Sequence, residues 1–313
     1  MFETGKDLKH ILSSRQFNRK SLEFVLDESE KMEDILQKKK PCHLLEGKIL
    51  ATLFFEPSTR TRFSFESAMI RLGGRVINTT HVQFSSITKG ETLYDTGRII
   101  SSYADVIAMR HPDRGSVSEL ANGAQVPVIN AGDGPGEHPT QSLLDLFTIK
   151  KEIGKIDSIK IALVGDLKFG RTVHSLVTLL SNFKKIEFFF VSPDELRMPR
   201  EHLGHLQELG FKCTEISDIK KVINEADVIY CTRVQKERFD SVEEYEKLKS
   251  CYILNKKLLD LAKDGVRIMH PLPRLDEISS DIDDREEAAY FREAANGVPV
   301  RMALLKNVLK IPG

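Results

Sequence analysis

The chain has 313 residues, with 46 Lys plus Arg against 46 Asp plus Glu and a formal net charge of zero. A neutral chain lacks the excess positive charge that the polyanionic backbone of a nucleic acid attracts, which argues against generic nucleic-acid binding while leaving room for a local basic site. At 41% hydrophobic and 29% charged residues the composition is that of a globular protein, and single cores tend to divide beyond roughly 250–300 residues, so two domains are predicted.

The opening MFETGKDLKHILSSRQF holds no apolar run of signal-peptide length, and nowhere do about 18 apolar residues follow one another, so a cytoplasmic protein without a membrane span is expected. Residues 21–37 place Leu22, Val25, Leu26, Met32, Ile35 and Leu36 on one face of a helix, with Ser21 as its N-cap. KILATLFF (48–55) reads as a buried strand of a parallel sheet. A helix over 59–72 stops at Gly73-Gly74, a strand follows at 76–78, and a polar loop runs through Gly90. Next come a helix near 91–102 and strands at 105–110 and 126–130.

A long helix at 139–151 leads into a second series: strand 159–166, helix 171–183, strand 187–192 with Phe188, Phe189 and Phe190 in the core, helix 201–210, and strands 227–232 and 266–270. The tail reads as helical near 286–296 and again at 299–310, broken by Gly297 and Pro299. Strand and helix in alternation predict an α/β protein of two domains, each a mostly parallel sheet flanked by helices. The first domain is expected to comprise residues 1–148 plus the C-terminal helix 290–313, and the second residues 149–289. Cys42, Cys213, Cys231 and Cys251 are scattered, so neither a disulfide framework nor a zinc site is expected, and Cys231 reads as a small buried residue. Lys38–Lys40 and the acidic run Asp281–Asp284 read as solvated surface.

The most informative stretch is FFEPSTRTRFSFE (54–66), because it leaves a strand and opens a helix. A helix N-terminus presents unpaired backbone N–H groups and the positive end of the dipole, and both favour phosphate. Ser58, Thr59 and Thr61 add hydroxyls, and Arg60 and Arg62 add forked cationic donors. The plainer reading makes Ser58 or Thr59 an N-cap and the arginines a solvated face, but five phosphate-capable side chains in succession favour a cradle. Arg110 closes the strand DVIAMR, and His138 and Gln141 sit where a Gly/Pro-rich loop becomes a helix. In open parallel sheets ligands gather beyond the carboxyl ends of strands, so these positions are expected to converge.

FEPSTRTRFSFE, SSITKGETLYDT, MRHP, EHPTQSLLDLFTI, TRVQKER and HPLPR stand in the order and approximate spacing of the carbamoyltransferases, which the chain resembles from about residue 48 to 305. TRVQKER and HPLPR resemble the aspartate branch. The resemblance implies transfer of the carbamoyl group of carbamoyl phosphate to the amine of L-aspartate, in pyrimidine synthesis, at a site between the two domains. It implies that Ser58, Thr59, Arg60 and Thr61 bind the phosphate, that Arg110, His138 and Thr61 polarise the carbamoyl oxygen, and that Gln141 with the backbone of Leu272 and Pro273 contacts the carbamoyl amine. Arg171, Arg233 and Gln235 are implied to hold the aspartate carboxylates. Lys89 and a nearby serine, Ser85 by counting back four residues, although Ser86 remains open, are implied to enter a neighbouring subunit's site. A homotrimer follows, and TRVQKER resembles the forms that carry separate regulatory chains. No cofactor or metal is called for, since carbamoyl phosphate brings its own leaving group and the enzyme must supply orientation, charge neutralisation and oxyanion stabilisation.

Three other readings compete. Ornithine carbamoylation shares the phosphate half, but that branch typically shows an S-M-G loop and H-C-L-P where this chain has TRVQKER and HPLP, and two arginines suit a dicarboxylate. GDLKFGRT (165–172) resembles a nucleotide-binding P-loop, but Arg171 stands in place of the essential Lys, and no strand is followed by the G-x-G-x-x-G of an NAD site. A non-catalytic paralogue is disfavoured by the unbroken set of site residues.

Overall fold

The computed structural model describes residues 9–79, 90–234, 241, 243, 245 and 252–311. Contacts divide the chain into two compact units, Met1–Leu144 with Asn296–Gly313, and Asp145–Ala295. Among the described residues no helix is long and apolar enough to cross a membrane.

The first unit is built on a parallel sheet of β1 (Ile49–Phe54), β2 (Arg75–Thr79), β3 (Val106–His111) and β4 (Val128–Asp133), in the order β2-β1-β3-β4. β1 is apolar apart from Thr52, whose hydroxyl donates to Glu66 at 3.1 Å, because a central parallel strand is covered on both faces; Leu50 to Phe54 are all buried. Its helices are α1 (Arg19–Lys38), α2 (Thr59–Arg71), α3 (Leu93–Ile100), α4 (Ser116–Gly123) and the start of α5 (Pro139–Ile153). Leu93, Ala104, Val117, Leu120 and Ala121 pack with Ala51, Leu53, Ile107 and Met109 in one core cluster.

The second unit carries β5 (Lys160–Val164), β6 (Glu187–Val191), β7 (Lys212–Ile216), β8 (Val228–Cys231) and β9 (Arg267–Met269), all parallel, in the order β7-β6-β5-β8-β9. The helices α6 (Arg171–Leu180), α7 (Arg200–Glu208) and the single turn α8 (Lys256–Leu259) follow in sequence, and α9 (Tyr290–Val308) closes the chain. Phe188, Phe189 and Phe190 are buried in β6 as expected of a core strand.

Several expectations are corrected. α1 begins two residues earlier, capped by Asn18, whose side chain accepts the Ser21 N–H at 2.9 Å; Ser21 Oγ returns a bond to the Asn18 N–H at 2.9 Å, so the serine is the far half of a capping box and not the cap. α4 and β7 lie where no element is predicted, because SVSELANG is short and KCTEI is a half-buried edge strand without alternation. The tail is one helix: Pro299 lies inside α9, where the burial of Val300, Met302, Leu304, Leu305 and Val308 outweighs one missing backbone bond. A Cβ at Gly297 would come within 2.4 Å of Arg301 Nη1, so a larger residue there would have to displace the end of that side chain. In the acidic run Asp281 and Asp284 are exposed as expected, while the half-buried Asp283 carboxylate also accepts from Arg274 Nη1 and Nη2 and from the Tyr290 hydroxyl. Of the four cysteines, Cys42, Cys213 and Cys231 are free thiols, with Cys231 buried; Cys251 lies outside the described residues.

Candidate active site

In an open parallel sheet the order of strands reverses at one point, and the loops leaving the two strands there diverge to leave a crevice at their carboxyl ends. In the first unit that point lies between β1 and β3; in the second it lies between β5 and β8. The residues singled out from sequence follow these strands or their immediate neighbours.

In the first unit, Phe54 pairs with Arg110 across β1 and β3, and the Phe55 N–H donates to the Arg110 carbonyl at 2.9 Å, so the loop after β1 leaves the sheet beside Arg110. That loop runs into α2 with Ser58 at the N-cap. The Ser58 side chain makes no capping hydrogen bond, in contrast to Asn18 on α1 and Thr92 on α3. The plain capping role is therefore unfilled, and Ser58 does not supply the first N–H groups of α2 with an acceptor. Thr61 is buried, Ser58 half-buried, and Thr59 and Arg60 exposed. Arg110 pairs with Glu56 at 2.8 Å and its Nη1 lies 3.4 Å from the Ala131 carbonyl. Burial lowers the Arg110 pKa, Glu56 opposes that, and the Arg60 charge lowers it further; Arg60 is likewise lowered by desolvation. Two crowded guanidinium groups that stay charged are an arrangement an anion relieves. Next to β3, β4 leads through a Gly-rich turn to His138, 4% exposed, whose carbonyl accepts the Gln141 N–H at 3.0 Å as α5 begins.

In the second unit, Val164 pairs with Cys231, which brings Gly165 against Thr232. Gly165 has φ +113°, and a Cβ there would come within 2.3 Å of the Thr232 carbonyl; at Gly170 a Cβ would meet the Asp166 carbonyl at 2.4 Å. Gly165 is thus required by its own positive φ and by the carbonyl after the neighbouring strand β8, and Gly170 by the turn's own backbone. Asp166 Oδ1 accepts the Phe169 N–H at 2.9 Å, closing that turn and delivering Arg171 as the first residue of α6. His174, one turn on, sets its Nε2 2.7 Å from the Leu167 carbonyl; only a protonated Nε2 can bond there, and burial lowers the ring's pKa, so the ring is a neutral clamp on the same loop. Arg233 follows β8 directly and is half-buried. From β9, adjacent to β8, the chain turns through the cis peptide Leu272-Pro273, with Leu272 half-buried and Pro273 exposed. Arg274 of the same motif is turned to Asp283 and Tyr290.

The structure thus gathers Ser58, Thr59, Arg60, Thr61 and Arg110 at one switch point with His138 and Gln141 beside it, and Arg171 and Arg233 at the other with Leu272 and Pro273 beside them. Ser85, Ser86, Lys89 and Gln235 lie outside the described residues. Glu56, passed over in sequence as part of the motif, holds Arg110; the signal was a carboxylate two residues before the cradle. A buried acid network was also not foreseen: the Tyr230 hydroxyl donates to Asp145 Oδ2 at 2.9 Å, and Glu293 Oε2 accepts the His270 N–H at 2.7 Å. Burial first, then the facing Asp145, push Glu293 well above the carboxylate range. Tyr230 and Asp145 sit within apolar runs, Glu293 follows Arg292 on a helix, and none gives a local sign of its partner.

Residues 9–151 match the family model of the aspartate/ornithine carbamoyltransferase carbamoyl-P binding domain, and residues 157–308 match that of the Asp/Orn binding domain. The chain belongs to the aspartate/ornithine carbamoyltransferase family. It is 52% identical to the aspartate carbamoyltransferase catalytic subunit of Methanobrevibacter smithii over 304 residues, covering 97% of this chain and 96% of that one. It superposes on the aspartate transcarbamoylase catalytic subunit of M. jannaschii with a TM-score of 0.91 at 52% identity, over 96% of this chain and 98% of the other. The Trypanosoma cruzi aspartate transcarbamoylase in complex with carbamoyl phosphate and aspartate gives a TM-score of 0.91 at 42% identity, over 98% and 99% of the two chains. Membership in this family replaces the P-loop and NAD readings.

Proposed function

We propose that this chain is an aspartate carbamoyltransferase: it transfers the carbamoyl group of carbamoyl phosphate to the amine of L-aspartate, giving N-carbamoyl-L-aspartate and phosphate, a step of pyrimidine biosynthesis. The observation that carries the assignment is 52% identity over nearly the full length to catalytic subunits named for aspartate. Arg171 and Arg233, at the ends of the two central strands of the second unit, fit that acceptor, because aspartate brings two carboxylates where ornithine brings one and a cationic chain.

The residue roles are part of the same reading. Ser58, Thr59, Arg60 and Thr61, with the first N–H groups of α2, hold the phosphate. Arg110, His138 and Thr61 donate to the carbamoyl oxygen, which gains negative charge as the amine attacks. Gln141 and the carbonyls of Leu272 and Pro273 accept from the carbamoyl amine. Arg171, Arg233 and Gln235 receive the aspartate carboxylates. The new C–N bond forms as the C–O bond to phosphate breaks, and the departing phosphate takes the proton of the attacking amine. Lys89, with Ser85 or Ser86, completes a neighbour's site in a homotrimer that works in the cytoplasm; TRVQKER resembles the forms with separate regulatory chains, and co-purification tests whether such chains join it. The uncapped Ser58 and the Arg60–Arg110 crowding support the phosphate half. A carbamoylation assay offering aspartate and ornithine side by side tests the whole: product from aspartate is expected, and turnover of ornithine alone would reverse the assignment.

A further inference from the structure

The loop after β9 holds a side chain that the roles above leave without a task. His270 is 1% exposed, and its backbone N–H and both ring nitrogens are engaged. Its N–H donates to Glu293 Oε2 at 2.7 Å, its Nε2 lies 2.7 Å from Glu277 Oε1, and its Nδ1 accepts the Leu272 N–H at 2.8 Å. A backbone N–H only donates, so Nδ1 is bare, and the proton of the neutral ring is on Nε2, donated to Glu277. Glu277 is in turn fixed by the Leu275 N–H on Oε2 at 3.1 Å. Burial raises the Glu277 pKa, but the His270 bond and the backbone N–H groups prevail and keep it low, consistent with a carboxylate that accepts from both sides. Two carboxyl groups therefore grip one imidazole, one through its backbone and one through its ring, and the ring grips the residue whose carbonyl begins the cis peptide.

We propose that His270, locked by Glu277 and Glu293, is a positioning residue that fixes Leu272 so that the Leu272-Pro273 segment is aimed at the carbamoyl amine; the inference rests on the reading that this segment accepts from that amine. Leu272 lies in the left-handed region at φ +49°, within a half-exposed turn, and the bond from its N–H to Nδ1 ties it to the buried interior. A carbonyl that must meet a substrate N–H tolerates little displacement, since a shift of about 1 Å in a positioning group costs on the order of 10²-fold.

The test compares His270→Ala, His270→Asn and Glu277→Gln with the wild type. The readouts are the KM for carbamoyl phosphate, the Ki of inorganic phosphate as a competitor, and thermal melting. Inorganic phosphate lacks the carbamoyl amine, so a positioning role acts on one ligand and spares the other. His270→Ala is expected to lower kcat/KM for carbamoyl phosphate by about 10- to 100-fold while moving the phosphate Ki by less than about threefold. Asn offers Oδ1 near the place of Nδ1, so His270→Asn is expected to recover to within about threefold of the wild type. Glu277→Gln, whose one oxygen cannot serve both the ring and Leu275, is expected to fall between them, and it carries the test if His270→Ala does not fold. Equal weakening of both ligands, or an Asn variant no better than Ala, would overturn the proposal. Failure of the wild type to carbamoylate aspartate would instead overturn the functional reading on which it rests.

Discussion

Arg60 and Arg110 carry the proposed recognition of an anion by a neutral chain, because the Arg60 charge bears on Arg110 and both guanidinium groups are partly desolvated. Arg110 is paired with Glu56 at 2.8 Å, and a phosphate beside these partly desolvated groups is expected to gain more than it would from the same guanidinium groups in open water. Removing one donor to a developing oxyanion commonly costs ~10²–10³ in turnover, so Arg60→Ala and His138→Ala are each expected to lose at least about 10²-fold in kcat with an unchanged circular dichroism spectrum. Steady-state turnover near wild type in either variant would sink the assigned roles. Glu293 makes a different kind of statement. Its folded-state pKa is raised, so the folded protein holds a proton that the unfolded chain releases above about pH 4.3. Folding then takes up a proton, and stability falls as pH rises from that value toward the raised one. Glu293→Gln keeps an acceptor for the His270 N–H without an ionisable group, and it is expected to flatten the fall of the melting temperature between pH 5 and 8. Calorimetry across that range checks this, and parallel pH profiles would mean that Glu293 is already ionised.

At the scale of elements, the helix starts fall into two kinds. α1 and α3 are capped by Asn18 and Thr92, whereas α2, α4, α6 and α7 start from Ser58, Gly115, Gly170 and Pro199 with no side-chain cap. Of the uncapped four, only Ser58 carries a hydroxyl that could have served as a cap. α9 is tied to α1 by a buried ion pair, Lys306 with Glu28 at 2.7 Å, each side chain 9% exposed. Burial raises the Glu28 pKa, yet Lys306 and Lys31 together pull it below the ordinary range. Lys31 already bonds the other oxygen of Glu28 at 2.6 Å, so Lys306→Met leaves that carboxylate partly compensated and is expected to destabilise by about 3 kcal/mol in chemical denaturation, the low end for a broken buried pair. Replacing Glu28 by Leu in the same chain is expected to restore most of that loss, and a double variant as unstable as the single one would show that the pair is more than a matched charge.

The molecule is two parallel sheets, each with one reversal of strand order, and the site residues are distributed over both. The proposed exchange of Lys89 between subunits gives the whole molecule a test of its own. Mixed trimers made from an inactive Lys89→Ala chain and an inactive Arg60→Ala chain are expected to regain part of the activity, because one site in such a hybrid has both residues intact. Hybrids that recover nothing, with trimers verified by sedimentation, would argue against a shared site.

The α/β alternation, the buried strands and the phosphate-cradle motif were legible in the chain itself, because continuous apolar runs bounded by Gly and Pro and a run of hydroxyl and guanidinium groups after a strand are local signals. Periodicity misplaced the start of α1 and split α9, since a reciprocal cap and the burial of Val300 to Val308 outweigh local propensity. No local signal reports strand order, and so only the tertiary structure decided that β1 meets β3 and β5 meets β8, which puts Arg110 beside the cradle and Arg233 across from Arg171's strand. The same holds for Glu293, His270 and Glu277. Their partners lie on other strands and loops, and a hydrogen bond between residues distant in sequence exists only once the fold has brought its two ends together.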